Sequence, residues 1–332
     1  MRERVALGAV VLPFILGTAA APPSDEGRVV FRFQDPDIVE ASGLVVRDGL
    51  FLTTNDSGDS GRVFAVDPDT GDTTGVTTWA SEPQDVEALA PAGAGEVWVG
   101  DIGDNVEERD SIQVTRVRVG TGDRTESGTS YDLVFPGPAR DAETLLSNPA
   151  TGRLFVASKE IFGAALFAAP AELSPDGPNK LRRVGPTLTF PTDGAFFPDG
   201  KHLVVRNYSQ AVVYTFPGLE RVATLKLPDQ QQGEAIAVSP DDRVFVTSEG
   251  RHQAVLEVDL PESVRQRMVP TPNEPVATTT SKPRNELPEE TAQPSRDPWQ
   301  WLLGAGLFVI AVAVLLLAVR PNVRQRTRLP RD

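Results

Sequence analysis

The sequence predicts an all-β ring: a β-propeller of five four-stranded blades, with six as the alternative count, followed by one transmembrane helix. Three observations predict it. First, an acidic residue precedes a large apolar one by 11 or 12 places five times, as Glu40/Phe51, Glu87/Trp98, Glu143/Phe155, Asp193/Val204 and Glu234/Phe245. These pairs recur every 41 to 56 residues, which is the mark of a repeat architecture. Second, each unit divides into four short apolar runs parted by turn residues. Third, the fifth unit lacks a fourth run, whereas an orphan run at 28–33 precedes the first unit. An N-terminal strand that completes the last blade closes such a ring.

The elements follow in chain order. Residues 1–21 read as an export signal, with Arg2 and Arg4 before an apolar stretch at 5–16 and small residues at 17–21. The propeller occupies 28–260. Second strands are expected at 50–53, 97–100, 154–157, 203–206 and 244–247. Third strands are expected at 63–66, 112–119, 165–168, 211–216 and 254–258, and fourth strands at 74–79, 131–135, 187–190 and 222–227. The turns between them, such as Pro68-Asp69-Thr70-Gly71 and Pro198-Asp199-Gly200, carry residues suited to tight reversals. Residues 261–298, rich in Pro, Thr and Glu, read as a linker that cannot bury a core. A transmembrane helix is expected at 299–319, where 301–319 is free of charge and would span roughly 28 Å as a helix. Residues 320–332 carry five arginines, so this tail is expected in the cytoplasm and the N-terminal domain outside it.

Charge and composition narrow the partners. Residues 22–260 hold 38 acidic and 20 basic side chains, a net charge of −18. That surface repels nucleic acid and attracts cations or basic partners. The chain has no cysteine, so neither disulfides nor thiolate metal sites contribute.

In a propeller the first strand of each blade starts on the face where the second strand ends. Two polar series occupy those places. The first is Glu40, Asp85, Glu87, Asp141, Glu143, Asp193 and Glu234, which reads as a ring of metal-ligating carboxylates. The second supplies Asn55, Asp56, Asp101, Lys159, Arg206, Tyr208 and Glu249 as ligand-binding candidates around one funnel. Crowded carboxylates must take up protons, meet a cation or be neutralised by Lys159 and Arg206. An oxygen-only donor set favours Ca²⁺ or Mg²⁺ over zinc. The same acids could instead hydrogen-bond the backbone of a neighbouring blade and hold the ring together. For hydrolysis, Glu143 or Glu249 would serve as base and Lys159 or Arg206 would stabilise negative charge. Of the two histidines, His202 stands on the far face and His252 reads as a loop residue near Glu249. Ser57 lacks the strand-to-helix elbow of a serine nucleophile.

Several motifs carry a resemblance: Glu40-Ala41-Ser42-Gly43-Leu44, Asn55-Asp56-Ser57-Gly58, Asp85-Val86-Glu87, Gly100-Asp101-Ile102-Gly103-Asp104-Asn105, Asp141-Ala142-Glu143 and Gly233-Glu234-Ala235-Ile236. With them, residues 28–260 resemble a family of exported bacterial β-propeller proteins, broadly similar to phytase-like and TolB-like propellers. The phytase-like resemblance implies a calcium-assisted esterase or phosphatase activity. The residues support three readings: a membrane-anchored surface protein that binds a ligand or protein through an acidic, cation-bearing funnel; a metal-dependent hydrolase; and a scaffold that binds proteins by its rim.

Overall fold

A computed structural model describes residues 27–56, 58–79 and 82–268. The export signal, most of the linker, the transmembrane span and the basic tail expected from the sequence lie outside the described residues. Among the described residues no helix is long and apolar enough to cross a membrane.

The chain enters as β1 (Arg28–Arg32) and then builds blade one from β2 (Ala41–Arg47), β3 (Leu50–Asn55), β4 (Arg62–Val66) and β5 (Thr73–Trp79). Blade two contains β6 (Val86–Pro91), β7 (Glu96–Asp101), β8 (Ile112–Arg118) and, after the short β9 (Arg124–Glu126), β10 (Thr129–Val134). Blade three contains β11 (Ala142–Ser147), β12 (Leu154–Ser158), β13 (Ala165–Ala168) and, after the short β14 (Asn179–Lys180), β15 (Arg182–Pro186). Blade four is β16 (Asp193–Phe196), β17 (His202–Arg206), β18 (Gln210–Thr215) and β19 (Arg221–Lys226). Blade five supplies β20 (Gly233–Val238), β21 (Val244–Ser248) and β22 (Ala254–Val258).

Within each blade the strands form an antiparallel meander, and β1 pairs antiparallel with β22 to complete the fifth sheet. The protein is therefore a β-propeller of five blades, closed by its N-terminal strand. Arg28 binds the Glu257 carboxylate across this closure, Arg243 binds it from within blade five, and the Arg243 hydrogen bonds hold its pKa down.

Each of the five hydrophobic cores lies between two neighbouring blades. Val45, Leu52, Leu89 and Val97 join blades one and two, while Ile112, Leu145, Leu154 and Phe167 join two and three. Phe155, Phe196 and Leu203 join three and four; Val204, Val213, Ile236 and Val244 join four and five. Phe31, Phe51, Phe64 and Phe245 then join five to one, with Phe51 edge-on to Phe245 at 5.0 Å between ring centres. Strands β12, β17 and β21 are buried along their whole length because blades cover both their faces. This two-sided burial is why they read as unbroken apolar runs rather than alternating ones.

The structure corrects the sequence in three places. The fourth strand of blade three is Arg182–Pro186 rather than 187–190. As an outer strand it faces solvent, so its arginines conceal it. The short β9 and β14, unexpected from the sequence, pair parallel with β5 and β10, so blades two and three each donate a strand to the outer edge of the blade before. Helix α1 (Glu262–Met268) occupies the start of the segment read as linker, and its Val264 is buried against blades four and five.

Candidate functional site

The mouth is built by an irregularity that recurs at the inner strands. The pairing of β2 with β3, β6 with β7, β11 with β12 and β20 with β21 shifts register near the start of the inner strand. The shifts leave Ser42, Glu87 and Glu143 unpaired in bulges, with Glu234 and Ala235 in the fifth blade. A bulge re-aims the side chain it contains. These bulges also correct the repeat register. Trp98, Phe155 and Phe245 each stand opposite the residue three places after the bulge acid, but in blade one that place belongs to Leu52. Ser42 is thus the counterpart of Glu87, Glu143 and Glu234, whereas Glu40 matches Asp85 and Asp141.

The second polar series shifts likewise by one residue in blade one. Asp56, Lys159 and Glu249 donate their backbone N–H to the carbonyls of Glu40, Asp141 and Gln232, at 3.0, 2.9 and 2.9 Å. These three side chains are the equivalent ones, and Asn55 is not among them. Asn55 is a clasp: its Oδ1 accepts from the Val39 and Glu40 N–H groups and its Nδ2 donates to the Asp37 carbonyl. Asp101 performs the same task in blade two, accepting from the Gln84 and Asp85 N–H groups, both at 3.0 Å, and from Arg109.

Two other candidates are structural. Asp193 is fully buried, and its oxygens accept from the Gly194 N–H at 2.7 Å and the Ile236 N–H of blade five at 2.8 Å. Burial nevertheless raises its pKa well above the usual range. Arg206, also fully buried, donates to the Asn207 and Ala235 carbonyls and to Gln230, bolting blade four to blade five. Gly233 makes room for it, since a Cβ there would stand 2.1 Å from Arg206 Nη2. Both Asp193 oxygens are thus engaged by backbone N–H groups, and the burial of Arg206 withdraws it from ligand binding and catalysis. The histidines are structural as well. His202 binds Asp199 through Nδ1 at 2.6 Å, and His252 meets the Phe33 carbonyl at 3.0 Å rather than Glu249.

The remaining candidates gather in one place. Asp56, Asp85 and Glu87 each offer a carboxylate oxygen, and these three atoms lie within 4.8 Å of one another. Burial, then Asp56 and Asp85, drive the Glu87 pKa up to about 9. Burial, then Asp56 and Asp141, raise Asp85 to about 6. Glu249 rises to about 7 through burial and the charges of Glu234, Asp56 and Glu40. Lys159 ion-pairs with Glu143, and its Nζ stands 5.8 Å from the Tyr208 ring centre and 6.0 Å from that of Phe190. Burial raises the pKa of Glu234 as it does that of Glu87, and the charge of Lys159 offsets part of each rise. Tyr208 is pushed up to about 12 by burial and by Glu234, Glu249, Glu87 and Asp141. Residues from all five blades thus share one electrostatic neighbourhood.

Sequence reasoning overlooked Gly103, Ser42 and Phe190. A Cβ at Gly103 would lie 2.3 Å from Asp85 Oδ2 and 2.9 Å from Glu87 Oε1, so only glycine leaves space for both carboxylates. Ile102, fully buried between blades two and three, anchors the loop that carries it. The Gly-Asp-Ile-Gly-Asp-Asn run was the visible signal. Ser42 donates to the Glu87 carbonyl at 2.7 Å and to Glu87 Oε2 at 3.2 Å, steadying that acid from blade one. Two buried acceptors in this region, Asp85 Oδ1 and Glu143 Oε2, have no hydrogen-bond partner. Crowded oxygens, orphaned acceptors and a side-chain-free cradle fit a hard divalent cation.

No family model matches the chain, and no curated protein sequence matches it. Among solved structures it is similar to a glutaminyl cyclase from Myxococcus xanthus at 12% identity and a TM-score of 0.47, covering 70% of this chain and 95% of that one. It is also similar to a glucose dehydrogenase at 13% identity and a TM-score of 0.44, covering 69% of this chain and 98% of that one. A gluconolactonase from Xanthomonas campestris gives 11% identity and a TM-score of 0.44, over 71% of this chain and 88% of that one. Likenesses this distant assign neither substrate nor reaction to the chain.

Proposed function

We propose that this chain is a membrane-tethered, surface-displayed binding protein whose acidic mouth takes a ligand or protein partner together with a divalent cation, Ca²⁺ by preference. The observation that carries the reading is the approach of the Asp56, Asp85 and Glu87 oxygens to within 4.8 Å. Oxygens on opposite sides of a Ca²⁺ ion, each about 2.4 Å away, stand roughly 4.8 Å apart. Without a cation, two ionised carboxylates at ~4 Å repel by about 4 kcal/mol at an effective dielectric near 20. A divalent ion converts that repulsion into attraction. Asp56, Asp85 and Glu87 would hold it, and Glu40, Asp141, Glu143 and Glu234 would shape the field around it. When bound, the ion would offer a positive centre to an oxygen of the ligand. The export signal, charge-free span and arginine-rich tail support display outside the membrane.

A second reading, a metal-dependent hydrolase of esters or phosphates, draws on Glu249. Its pKa of about 7, in the same mouth, suits a general base near neutral pH. Lys159, in the same mouth, would meet developing negative charge. Absence of turnover by the Ca²⁺-loaded protein across phosphate and carboxylic esters would retire this reading.

Melting the protein in EDTA and again in Ca²⁺ tests the cation. Saturation at about 100 times Kd stabilises by about 2.7 kcal/mol, a rise of roughly 5–10 °C for a domain of this size. An identical melting temperature in both would refute it.

A further inference from the structure

The mouth is acidic, and its rim also carries exposed apolar side chains. Among the described residues the exposed large apolar side chains are Val29, Val106, Ile161, Phe162 and Tyr208. Four of these five belong to loops between second and third strands, which open on the mouth face. Val106 is 72% exposed in blade two, Ile161 and Phe162 are 58% and 88% exposed in blade three, and Tyr208 is 39% exposed in blade four. Scattered exposed apolar residues need no explanation, but a set confined to one rim beside a charged pocket does.

The charged groups differ between the two sides. On blades three and four, Lys159 already sits among Glu143, Tyr208 and Phe190. On blades five and one, the strongest charges acting on Glu249 are the carboxylates of Glu234, Asp56 and Glu40. The Gly250 N–H donates to the Val39 carbonyl at 2.8 Å, which holds the Glu249 loop beside Glu40. Glu143 Oε2, on a residue only 6% exposed, adds an acceptor with no partner to the same mouth. Exposed apolar side chains thus stand at the lip on blades two to four, and carboxylates gather on blades five and one.

The protein's own Lys159 demonstrates the recognition chemistry: an ammonium gripped by a carboxylate with two aromatic rings nearby, within cation–π range. We propose that the mouth face docks a polypeptide segment of a partner protein, placing a lysine or arginine head among Glu40, Asp56 and Glu249 and laying apolar neighbours over Val106, Ile161 and Phe162. This inference rests on the mouth being the binding site, but it does not require the cation. Charge complementarity would steer the approach, and burial of the rim would supply the affinity.

The test uses the full-length chain in a neutral detergent and three fluorescein-labelled decapeptides, alternating leucine–lysine, leucine–glutamate and serine–lysine, read by fluorescence anisotropy. The leucine–lysine peptide is expected to bind at least tenfold more tightly than either control. I161S/F162S and E249Q should each weaken it at least fivefold, and I161S/F162S should leave Ca²⁺ titrations unchanged. Equal binding of the three peptides, or rim variants that bind as the parent does, would overturn the inference. Self-association of the chain abolished by I161S/F162S would overturn it too, assigning the rim to a second copy. Peptide binding without a Ca²⁺ response would sink the cation alone, and the converse would sink this inference alone.

Discussion

Asp193 and Glu87 stand near the start of inner strands in blades four and two, and both are almost inaccessible, at 0% and 4% exposure. Their surroundings differ in kind. The Asp193 oxygens meet two backbone N–H groups, one from its own blade and one from the next. Glu87 instead faces Asp56 and Asp85, with only Ser42 and the charge of Lys159 to ease it. One acid therefore fastens two blades, and the other stores electrostatic tension that a ligand can relieve. Burial alone says little about what a carboxylate does; the donors within its reach decide. The same lesson separates Asn55 and Asp101, spent on backbone, from Asp56, at the mouth.

This contrast can be broken or sharpened by substitution. The largest effect is expected at the clasp: D193A strands two buried N–H groups and R206M removes a buried cation from between two acids, each costing about 3–5 kcal/mol. Denaturant unfolding measures both, and a cost below 1 kcal/mol would undo the contrast. Next, G103A places a methyl group against the Asp85 and Glu87 carboxylates. It should weaken Ca²⁺ at least tenfold, about 1.4 kcal/mol, as read by calorimetry. A Gly103→Ala protein with unchanged affinity would separate the cradle from the site.

E87Q should act in two opposite directions. In EDTA at pH 7 it should stabilise the fold by up to about 3 kcal/mol, because the glutamate must otherwise gain a proton on folding. In Ca²⁺ it should remove the stabilisation by the ion. Melting curves in the two buffers read both signs, and a destabilised E87Q in EDTA would place Glu87 with Asp193. A pH dependence of the cation-free protein should accompany these effects. The pKa values of Asp85, Glu249 and Glu87 rise on folding from 3.8, 4.5 and 4.5 to about 6, 7 and 9. Between those limits the folded state holds more protons than the unfolded one, so these groups lower stability as pH rises. Melting temperatures in EDTA should fall from pH 5 to pH 9, and Ca²⁺ should flatten the slope; a rise over that window contradicts the assigned shifts.

The five-bladed ring was legible because strands such as β12, β17 and β21 are covered on both faces and carry apolar runs along most of their length. Strand β15 was hidden because its arginines face solvent, and β9 and β14 are too short to leave a pattern. At the mouth, the recurring Asp-x-Glu pairs are the visible trace of acids that stand at the inner-strand bulges. The chance spacing of Glu40 and Phe51 masked Ser42, since a bulge changes register without changing composition. The roles of Asp193, Arg206, Asn55 and Asp101 depend on backbone N–H and carbonyl groups, which no side-chain pattern displays.

The most direct measurement is calorimetric titration of Ca²⁺ into the cation-free full-length chain and its D85N/E87Q variant. Saturable binding of the ion by the parent protein, lost in the variant although both melt cooperatively, is the predicted result. No saturable heat from the parent, or the same isotherm from both proteins, would contradict a cation site at Asp56, Asp85 and Glu87.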